Sequence, residues 1–545
     1  MKSYRSFASN IMKMNPRILI VLAFICVASL LFNVIQKDNA PACFNADEAA
    51  FGYNSYSILK TGKDEYGTPA PLRLMSFGDY KLPLYAYLSV PFIAAGGLNE
   101  SSARALNTAL ALLFPLVIFF LSRELFKNDS AALLAAAFTA SSLGLATIAR
   151  QAHEGYLAAL LTATVFLLFL RWSRMKTYTA LGFFLLAISL LLFSYQSARI
   201  FAAFFFACAL FQTIRKRIPV SHMIVLFLAF VILALPDVIY KPARVGNLLF
   251  FKNPGLGLKT QELRQEGGNK LVYNKATVAA TQFLGQHLLY YSPQFLAIRG
   301  DENFRFGFTD MPPVTYVEYA LFLTGIYFLI RKKEKNRSIL FWLLLITPIA
   351  GSLSWAGSSI TRTLFLLPLI ALISSYGFVE LEKTIPKKRR VYVTSAFCIA
   401  FVVFLFYGWN FYLNHYNKRA AVQVAQQCGY RELGAIIKKE YPKTKTIYMT
   451  KAGGTPYIFM LFYLGFDPST YQKQATLSAP DIYGFGQVEK FDKFIFSIPA
   501  EIPSNSIVVG TPEDFKTNPA LKTLNPKKIH TIQTGITQNF LVYRP

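Results

Sequence analysis

The chain has 545 residues, of which 54% are hydrophobic and only 16% are charged. A water-soluble protein cannot cover that much apolar surface with polar groups, so the composition excludes an ordinary soluble domain. The formal net charge of +27 could suggest a nucleic-acid partner. However, the Lys and Arg residues cluster in short loops between long apolar runs, which indicates membrane topology and argues against nucleic acid.

Apolar runs long enough to cross a bilayer recur from the N-terminus to Trp409. The first run, Ile18 to Ile35, follows several basic residues and precedes no clear cleavage site, so we interpret it as an uncleaved signal anchor. The runs predict about eleven membrane-spanning helices. The predicted spans are 17–36, 102–121, 130–148, 155–171, 178–194, 198–213, 220–240, 314–330, 338–354, 361–379 and 391–409.

One further apolar stretch, 82–98, decides the predicted topology. If it does not cross the membrane, the basic loops between spans all face the cytoplasm, as the positive-inside rule requires; if it crosses, they all face outward. We therefore predict that 82–98 lies at the outer interface, with Lys81, Tyr85 and Tyr87 at headgroup level. The long loops 37–101 and 241–313 then lie outside the plasma membrane.

Residues 410–545 differ from the transmembrane domain at 1–409. Their strand-like runs and the helical stretch Tyr430 to Glu440 predict a small extracytoplasmic α/β domain. Cys43 and Cys428 both fall on the outer side, and the sequence leaves open whether they form a disulfide.

Acidic side chains on the outer side are the first candidates for chemistry. Asp47 and Glu48 stand at the start of an amphipathic helix, and His153 and Glu154 stand at the end of a span. Helix capping, the helix dipole or ordinary solvation would also account for them. The functional alternative is a carboxylate that accepts a proton from an acceptor hydroxyl or positions it.

Basic side chains on the same side are candidates for binding an anion. Lys81 precedes the interfacial stretch, Arg199 and Arg362 open outer span ends, and Arg299 lies beside Asp301 in the second long loop. Each could simply extend to water at the membrane surface. Alternatively, cations at headgroup depth suit a lipid-linked phosphate.

The sequence lacks several motifs of other enzyme classes. It contains no nucleotide-binding P-loop, serine-hydrolase elbow or zinc-protease motif, and no Cys/His cluster typical of zinc. We expect no required cofactor, and no metal is indicated. Charged residues are nearly absent from the span interiors, which disfavours an ion pathway.

Several stretches, spread along most of the chain, resemble stretches that occur in the same order in one protein family. They are Asn45 to Tyr53, Tyr80 to Tyr85, Arg104 to Phe126, Arg150 to Glu154, Ser292 to Pro313 and Tyr457 to Pro468. They resemble the GT-C superfamily of membrane glycosyltransferases, especially the bacterial protein O-mannosyltransferase-like enzymes and aminoarabinose transferases of lipid A. The sequence departs from the family at Ala50-Phe51, where many relatives have Arg-Tyr, and at His153-Glu154, where a lone Asp is usual. It also lacks the Trp-Trp-Asp signature of oligosaccharyltransferases.

The resemblance implies a GT-C fold with interfacial helices in the first outer loop. It implies a hexosyl or pentosyl transferase that moves a sugar from a membrane-embedded polyprenyl-phosphate donor to a protein, lipid or glycan hydroxyl. In this reading Asp47 is the general base or acceptor-positioning acid, Glu154 is the second acid, and Lys81 and Arg362 bind the donor phosphate. Two alternatives stay open, a secondary transporter and a surface-glycan polymerase or ligase of another membrane fold.

Overall fold

The computed structural model of the chain describes residues 14–239, 249, 253–307, 309–354, 358–479, 486 and 488–544. Helices dominate the first three quarters of the chain. They are α1 (Pro16–Val34), α2 (Ala46–Thr61), α3 (Leu84–Gly96), α4 (Glu100–Phe126), α5 (Asp129–Ser141), α6 (Leu143–Ala149), α7 (Glu154–Met175), α8 (Tyr178–Leu192), α9 (Arg199–Ile214), α10 (Val220–Ile239), α11 (Pro254–Gln265), α12 (Lys275–Leu289), α13 (Tyr316–Arg331), α14 (Arg337–Ile346), α15 (Ile349–Ser352), α16 (Leu366–Thr384) and α17 (Lys387–Asn414).

Five helical segments among the described residues are long and apolar enough to cross a membrane, and a sixth if α5 and α6 form one broken span. These two helices are bent by 53° where Ser142 ends α5 and caps α6 by accepting a hydrogen bond from the Leu145 amide. Each predicted span overlaps a helix or a helix pair. The predicted number of eleven is not confirmed, because helices such as the 15-residue α8 are shorter than this criterion.

The loop 37–101 folds into the α2 and α3 helices and a short hairpin of β1 (Leu74–Ser76) and β2 (Asp79–Lys81). Asn45 caps α2 by accepting from the amides of Asp47 and Glu48. The expected helix at 82–98 is present as α3. Tyr85, however, is not exposed at a surface as we expected, because it is fully buried with its ring centroid 4.9 Å from that of Phe51.

The C-terminal part forms a mixed seven-stranded sheet flanked by short helices. The elements are α18 (Ala420–Ala425), α19 (Tyr430–Glu440), β3 (Thr446–Met449), α20 (Pro456–Leu464), α21 (Pro468–Gln474), β4 (Thr476–Leu477), β5 (Val488–Phe491), β6 (Phe494–Ile495), β7 (Ser506–Gly510), α22 (Pro512–Thr517), α23 (Pro519–Lys522), β8 (Ile529–Thr534) and β9 (Thr537–Tyr543). The strand order is β4-β5-β6-β3-β7-β9-β8. Only the β3 pairings with β6 and β7 are parallel among those of the described strands.

The C-terminal sheet domain is bonded to the loop 37–101. A disulfide joins Cys43 to Cys428, which answers the question that the sequence left open. The Tyr457 hydroxyl donates to Glu65 Oε1 at 3.0 Å. Burial raises the pKa of the Glu65 carboxyl to about 8. This covalent and hydrogen-bonded junction holds the domain beside the start of α2.

Candidate functional site

Asp47 lies at the centre of a charged group at the start of α2. Its Oδ1 accepts a hydrogen bond from Lys81 Nζ at 2.8 Å, and its Oδ2 lies 3.6 Å from Arg305 Nη1. The Asp47 side chain is 29% exposed, so an incoming molecule can reach it. A half-exposed carboxylate between two cations is arranged both to contact a hydroxyl and to sit beside an anion.

Lys81 ends the β2 strand and does not simply extend to water. Besides its bond to Asp47, Nζ lies 4.6 Å from the Phe77 ring centroid and 5.2 Å from that of Phe51. Cation–π contacts and the ion pair fix the ammonium in one place. The ammonium is therefore held at Asp47 by contacts within the protein.

Glu48 differs from its neighbour because it is completely buried. Arg104 of α4 donates two hydrogen bonds to it, from Nε to Oε1 at 2.7 Å and from Nη2 to Oε2 at 2.8 Å. The amides of Asn45 and Ala152 also donate to it. With its oxygens occupied, Glu48 has no route to a substrate. These contacts join α2 to α4 and to the turn before α7, and we propose a positioning role for Glu48 in place of the catalytic role that the sequence suggested.

Amide side chains hold Arg305 in place opposite Asp47. The Arg305 carbonyl accepts from Gln151 Nε2 at 3.1 Å and from Gln426 Nε2 at 2.6 Å. Its own Nε donates to the Ala425 carbonyl at 2.6 Å. Asn45 Nδ2 donates to Gln151 Oε1 at 3.1 Å and so ties this set to the start of α2. Four distant parts of the chain thus converge on one cation.

An aromatic row leads from Arg305 to the start of α7. The His153 ring lies 4.8 Å from the Phe306 ring and 5.8 Å from the Tyr195 ring, centroid to centroid. His153 caps α7, because its Nδ1 accepts from the Gly155 amide at 2.9 Å. Glu154 follows as the first, half-buried residue of α7. The His153 Nδ1 atom therefore serves as the cap of α7.

Arg362 lies on the far side of this row, in the 3-10 turn Ile360–Thr363. It lines a small cavity of about 10 Å³ together with Tyr195, Ser197 and Gly155 near the start of α7. Its Nη1 is buried and has no hydrogen-bond partner within the part of the chain that the structure describes. Buried polar groups are normally satisfied, so a guanidinium nitrogen in this state marks a place for an anionic oxygen.

Asp301 supports the turn that carries Arg362. Its Oδ2 accepts from the Ile360 amide at 2.6 Å, and its Oδ1 accepts from the Asn303 amide at 2.9 Å. Burial raises the pKa of the Asp301 carboxyl to about 6, against the opposing effect of these hydrogen bonds and of Arg362. Asp301 thus fixes the backbone two residues before Arg362.

The two other predicted cations are placed differently. Arg199 begins α9, and its Nε donates to the Leu192 carbonyl at 3.3 Å. Arg299 is exposed beyond the π-helical turn Gln294–Ile298. Among the described residues, no group of three or more His, Cys, Asp or Glu side chains is placed to hold a metal ion.

No family model and no curated protein matches this sequence. Two solved structures of ArnT from Cupriavidus metallidurans share its overall fold. The form bound to undecaprenyl phosphate is 9% identical with a TM-score of 0.54, and the apo form is 10% identical with a TM-score of 0.54. Both alignments cover 95% of this chain and 97% of ArnT. ArnT is an aminoarabinose transferase of the GT-C superfamily. This chain has the GT-C fold.

An apo oligosaccharyltransferase from Archaeoglobus fulgidus also aligns, at 14% identity and a TM-score of 0.48, over 82% of this chain and 64% of that one. The resemblance noted in the sequence motifs is confirmed at the level of fold by the ArnT structures. Asp47 lies in the first turn of α2, Lys81 ends β2, and Glu154 begins α7.

Sequence reasoning missed two residues of this group. Arg305 lies within the stretch Ser292 to Pro313 but was not singled out, because it pairs with Asp47, a residue far away in the sequence. Tyr195 belongs to a short turn between α8 and α9 that carried no motif. The aromatic residues at 304 and 306 around Arg305 were the only local signal.

Proposed function

We propose that this protein is a glycosyltransferase that moves a sugar from a polyprenyl-phosphate donor to an acceptor hydroxyl on the outer side of the membrane. The fold supports this class of enzyme, because ArnT was solved with undecaprenyl phosphate bound. The observation that carries the proposal is the partly exposed Asp47 carboxylate held between Lys81 and Arg305. This group combines a proton acceptor with cations for a leaving phosphate.

In the proposed reaction the acceptor hydroxyl attacks the anomeric carbon of the sugar. Its proton passes to the Asp47 carboxylate, while the bond between that carbon and the donor phosphate oxygen breaks. The electron pair of the broken bond stays on the phosphate, which leaves with one more negative charge. Lys81 and Arg305 stand next to the carboxylate and stabilise this charge as it develops.

Arg362 extends the cationic surface for the donor. Its buried, unsatisfied Nη1 is suited to a phosphate oxygen. Asp301 holds its turn, so the guanidinium is oriented before the ligand arrives. Such prior orientation lowers the entropic cost of binding.

Glu154 is proposed as the second acid of the site. It begins α7 directly after His153, whose ring contacts Phe306 beside Arg305. A second carboxylate here would hold sugar or acceptor hydroxyls rather than accept the reaction proton, since the Asp47 carboxylate carries the flanking cations. The loops of the site and the C-terminal sheet domain are proposed to face the outside of the plasma membrane, with the transmembrane part ending near residue 409.

Comparison of cells with and without the gene tests the proposal. Lipid extracts and envelope glycans from both strains would be analysed by mass spectrometry. We expect a polyprenyl-phosphate sugar to accumulate in the deletion strain and the same sugar to disappear from a glycan, lipid or protein. Restoring the gene should reverse both changes. Identical lipid and glycan profiles in the two strains would contradict the proposal.

A further inference from the structure

A helical hairpin in the second outer loop has no role in the site described above. It consists of α11, the turn 266–274 and α12. The two helices bury a small apolar core between them, made of Leu256, Val278 and Ala279 with Leu263 packed against it. Leu353, directly after α15, joins this core. The inner faces of the hairpin are thus fully used.

The outer surface of the hairpin nevertheless exposes large apolar side chains. Leu271 at the tip is 85% exposed, and Val272 and Tyr273 beside it are also exposed. Leu284 and Leu288 are exposed one helical turn apart on α12, so they lie on the same face. Several large apolar side chains exposed on one hairpin mark an interaction surface.

The charges around the tip indicate which partner it suits. Lys270 and Lys275 stand on either side of the exposed apolar residues. The hairpin also carries Lys259 and Arg264, against Glu262 and Glu266. Apolar side chains bracketed by long basic ones are typical of segments that lie in a membrane interface, where the ammonium groups meet headgroup phosphates.

The base of the hairpin is hydrogen-bonded to α13 and α14, which belong to the predicted spans 314–330 and 338–354. The Tyr291 hydroxyl, just after α12, donates to the Leu344 carbonyl of α14. The Tyr291 carbonyl in turn accepts from the Tyr319 hydroxyl of α13 at 3.1 Å. These bonds attach the hairpin to two of the predicted spans, so a hairpin that meets the leaflet would do so close to them.

We propose that the hairpin docks onto the membrane leaflet beside the candidate site, with the tip Leu271–Tyr273 inserted below the headgroups. Lys270 and Lys275 then contact lipid phosphates at the surface. The hairpin also adjoins the donor-binding side, because the Tyr290 hydroxyl after α12 accepts from the Ser359 amide at 2.9 Å, next to the turn with Arg362. Membrane docking thus fixes the depth of that turn relative to a lipid-linked ligand.

Depth-dependent fluorescence quenching tests this inference without requiring transfer activity. The free cysteines Cys26, Cys208 and Cys398 would be replaced by Ala, leaving the Cys43–Cys428 disulfide. The full chain would be labelled with the NBD fluorophore at Leu271→Cys in phosphatidylcholine/phosphatidylglycerol nanodiscs. Ile536→Cys is the matched control, because this residue is 88% exposed at the β8–β9 turn of the C-terminal domain.

We expect nitroxide-labelled lipids to quench the fluorophore at position 271 at least threefold more than at position 536. Aqueous iodide should show the reverse order. A second label at Leu284→Cys should behave like the one at position 271, which guards against a local effect of a single label. Equal lipid quenching at positions 271 and 536, with free access of iodide to both, would overturn the inference and assign the apolar surface to a protein partner.

Because the measurement reports depth alone, it separates this inference from the proposed reaction. Lipid quenching with no change in cellular glycans would support the docking and indicate that the protein has another function. Altered glycans without lipid quenching would support the transferase and refute the docking.

Discussion

Replacement of Glu48 by Gln is expected to destabilise the protein rather than remove a catalytic group. The change keeps the size of the side chain but takes away the charge that faces Arg104. The Arg104 and Glu48 side chains are only 4% and 1% exposed. The substitution therefore leaves a buried guanidinium without its counter-charge.

The expected magnitude follows from this burial. Breaking a buried, hydrogen-bonded ion pair by removing one partner costs about 3–5 kcal/mol. The ion pair of Glu100 with Arg431 is a matched control. Glu100 lies on α4, as Arg104 does, but the Glu100 and Arg431 side chains are 13% and 53% exposed, respectively. Loss of such a partly exposed pair costs about 1 kcal/mol or less.

Thermal unfolding of the purified proteins in one detergent provides the assay. We expect Glu48→Gln to lower the melting temperature clearly more than Glu100→Gln. The double variant Glu48→Gln, Arg104→Met should recover part of the loss, because it removes both buried charges together. An unchanged melting temperature for Glu48→Gln, combined with lost transfer, would refute the positioning role and make Glu48 a catalytic residue.

Three further predictions concern the donor side and the domain junction. Lys81→Ala and Arg362→Ala should each weaken undecaprenyl phosphate binding to purified protein, and their effects should be non-additive if both contact one phosphate; strictly additive losses would indicate separate sites. In the same assay, wild type should bind undecaprenyl phosphate more tightly than Asp301→Asn does. This difference in affinity should shrink as the pH falls below about 6, because protonation removes the Asp301 charge that holds the turn of Arg362; a difference independent of pH would contradict this. The raised pKa of Glu65, about 8 against an ordinary 4.5, means that the folded state holds this proton more tightly than the unfolded chain. Glu65 thus contributes stability at low pH that is lost as the pH rises through about 8. The melting temperature of Glu65→Gln should therefore fall less than that of wild type between pH 7 and pH 9. Equal falls would show that Glu65 does not titrate in this range.

Local sequence patterns predicted much of the fold. The helix at Tyr430–Glu440 and the strand at Ser506–Gly510 have the predicted bounds, because apolar periodicity and flanking turn residues are local signals. The break between α5 and α6 was missed, since the apolar run at 130–148 continues through Ser142. Hydropathy detects the apolar run, but it cannot detect the hydrogen bond from the Leu145 amide to Ser142 that starts a new helix within it.

The candidate site was predictable only in part. Asp47 and Lys81 were singled out by their positions beside helices and by the family likeness, and the structure joins them at 2.8 Å. Glu48 looked equivalent to Asp47 from the sequence, but successive helical residues point in different directions, and only Glu48 faces Arg104. Arg305 could not be found, because its place opposite Asp47 depends on contacts between distant loops.

Quantification of the sugar transfer by an Asp47→Asn variant tests the central claim most directly. The deletion strain would be complemented with wild type, Asp47→Asn or Asp310→Asn. Asp310 is the matched control, because it is an exposed acid of the second long loop paired with Arg419 at 2.8 Å. Membrane levels of each protein would be equalised before lipid-linked sugar and transferred sugar are measured.

We expect Asp47→Asn to reduce transfer by about two to four orders of magnitude while undecaprenyl phosphate still binds, since Asn keeps the shape of the side chain but cannot accept the proton. Asp310→Asn should transfer like wild type. Near-normal transfer by a well-folded Asp47→Asn protein would contradict the account and leave Asp47 as a helix-start residue paired with two cations.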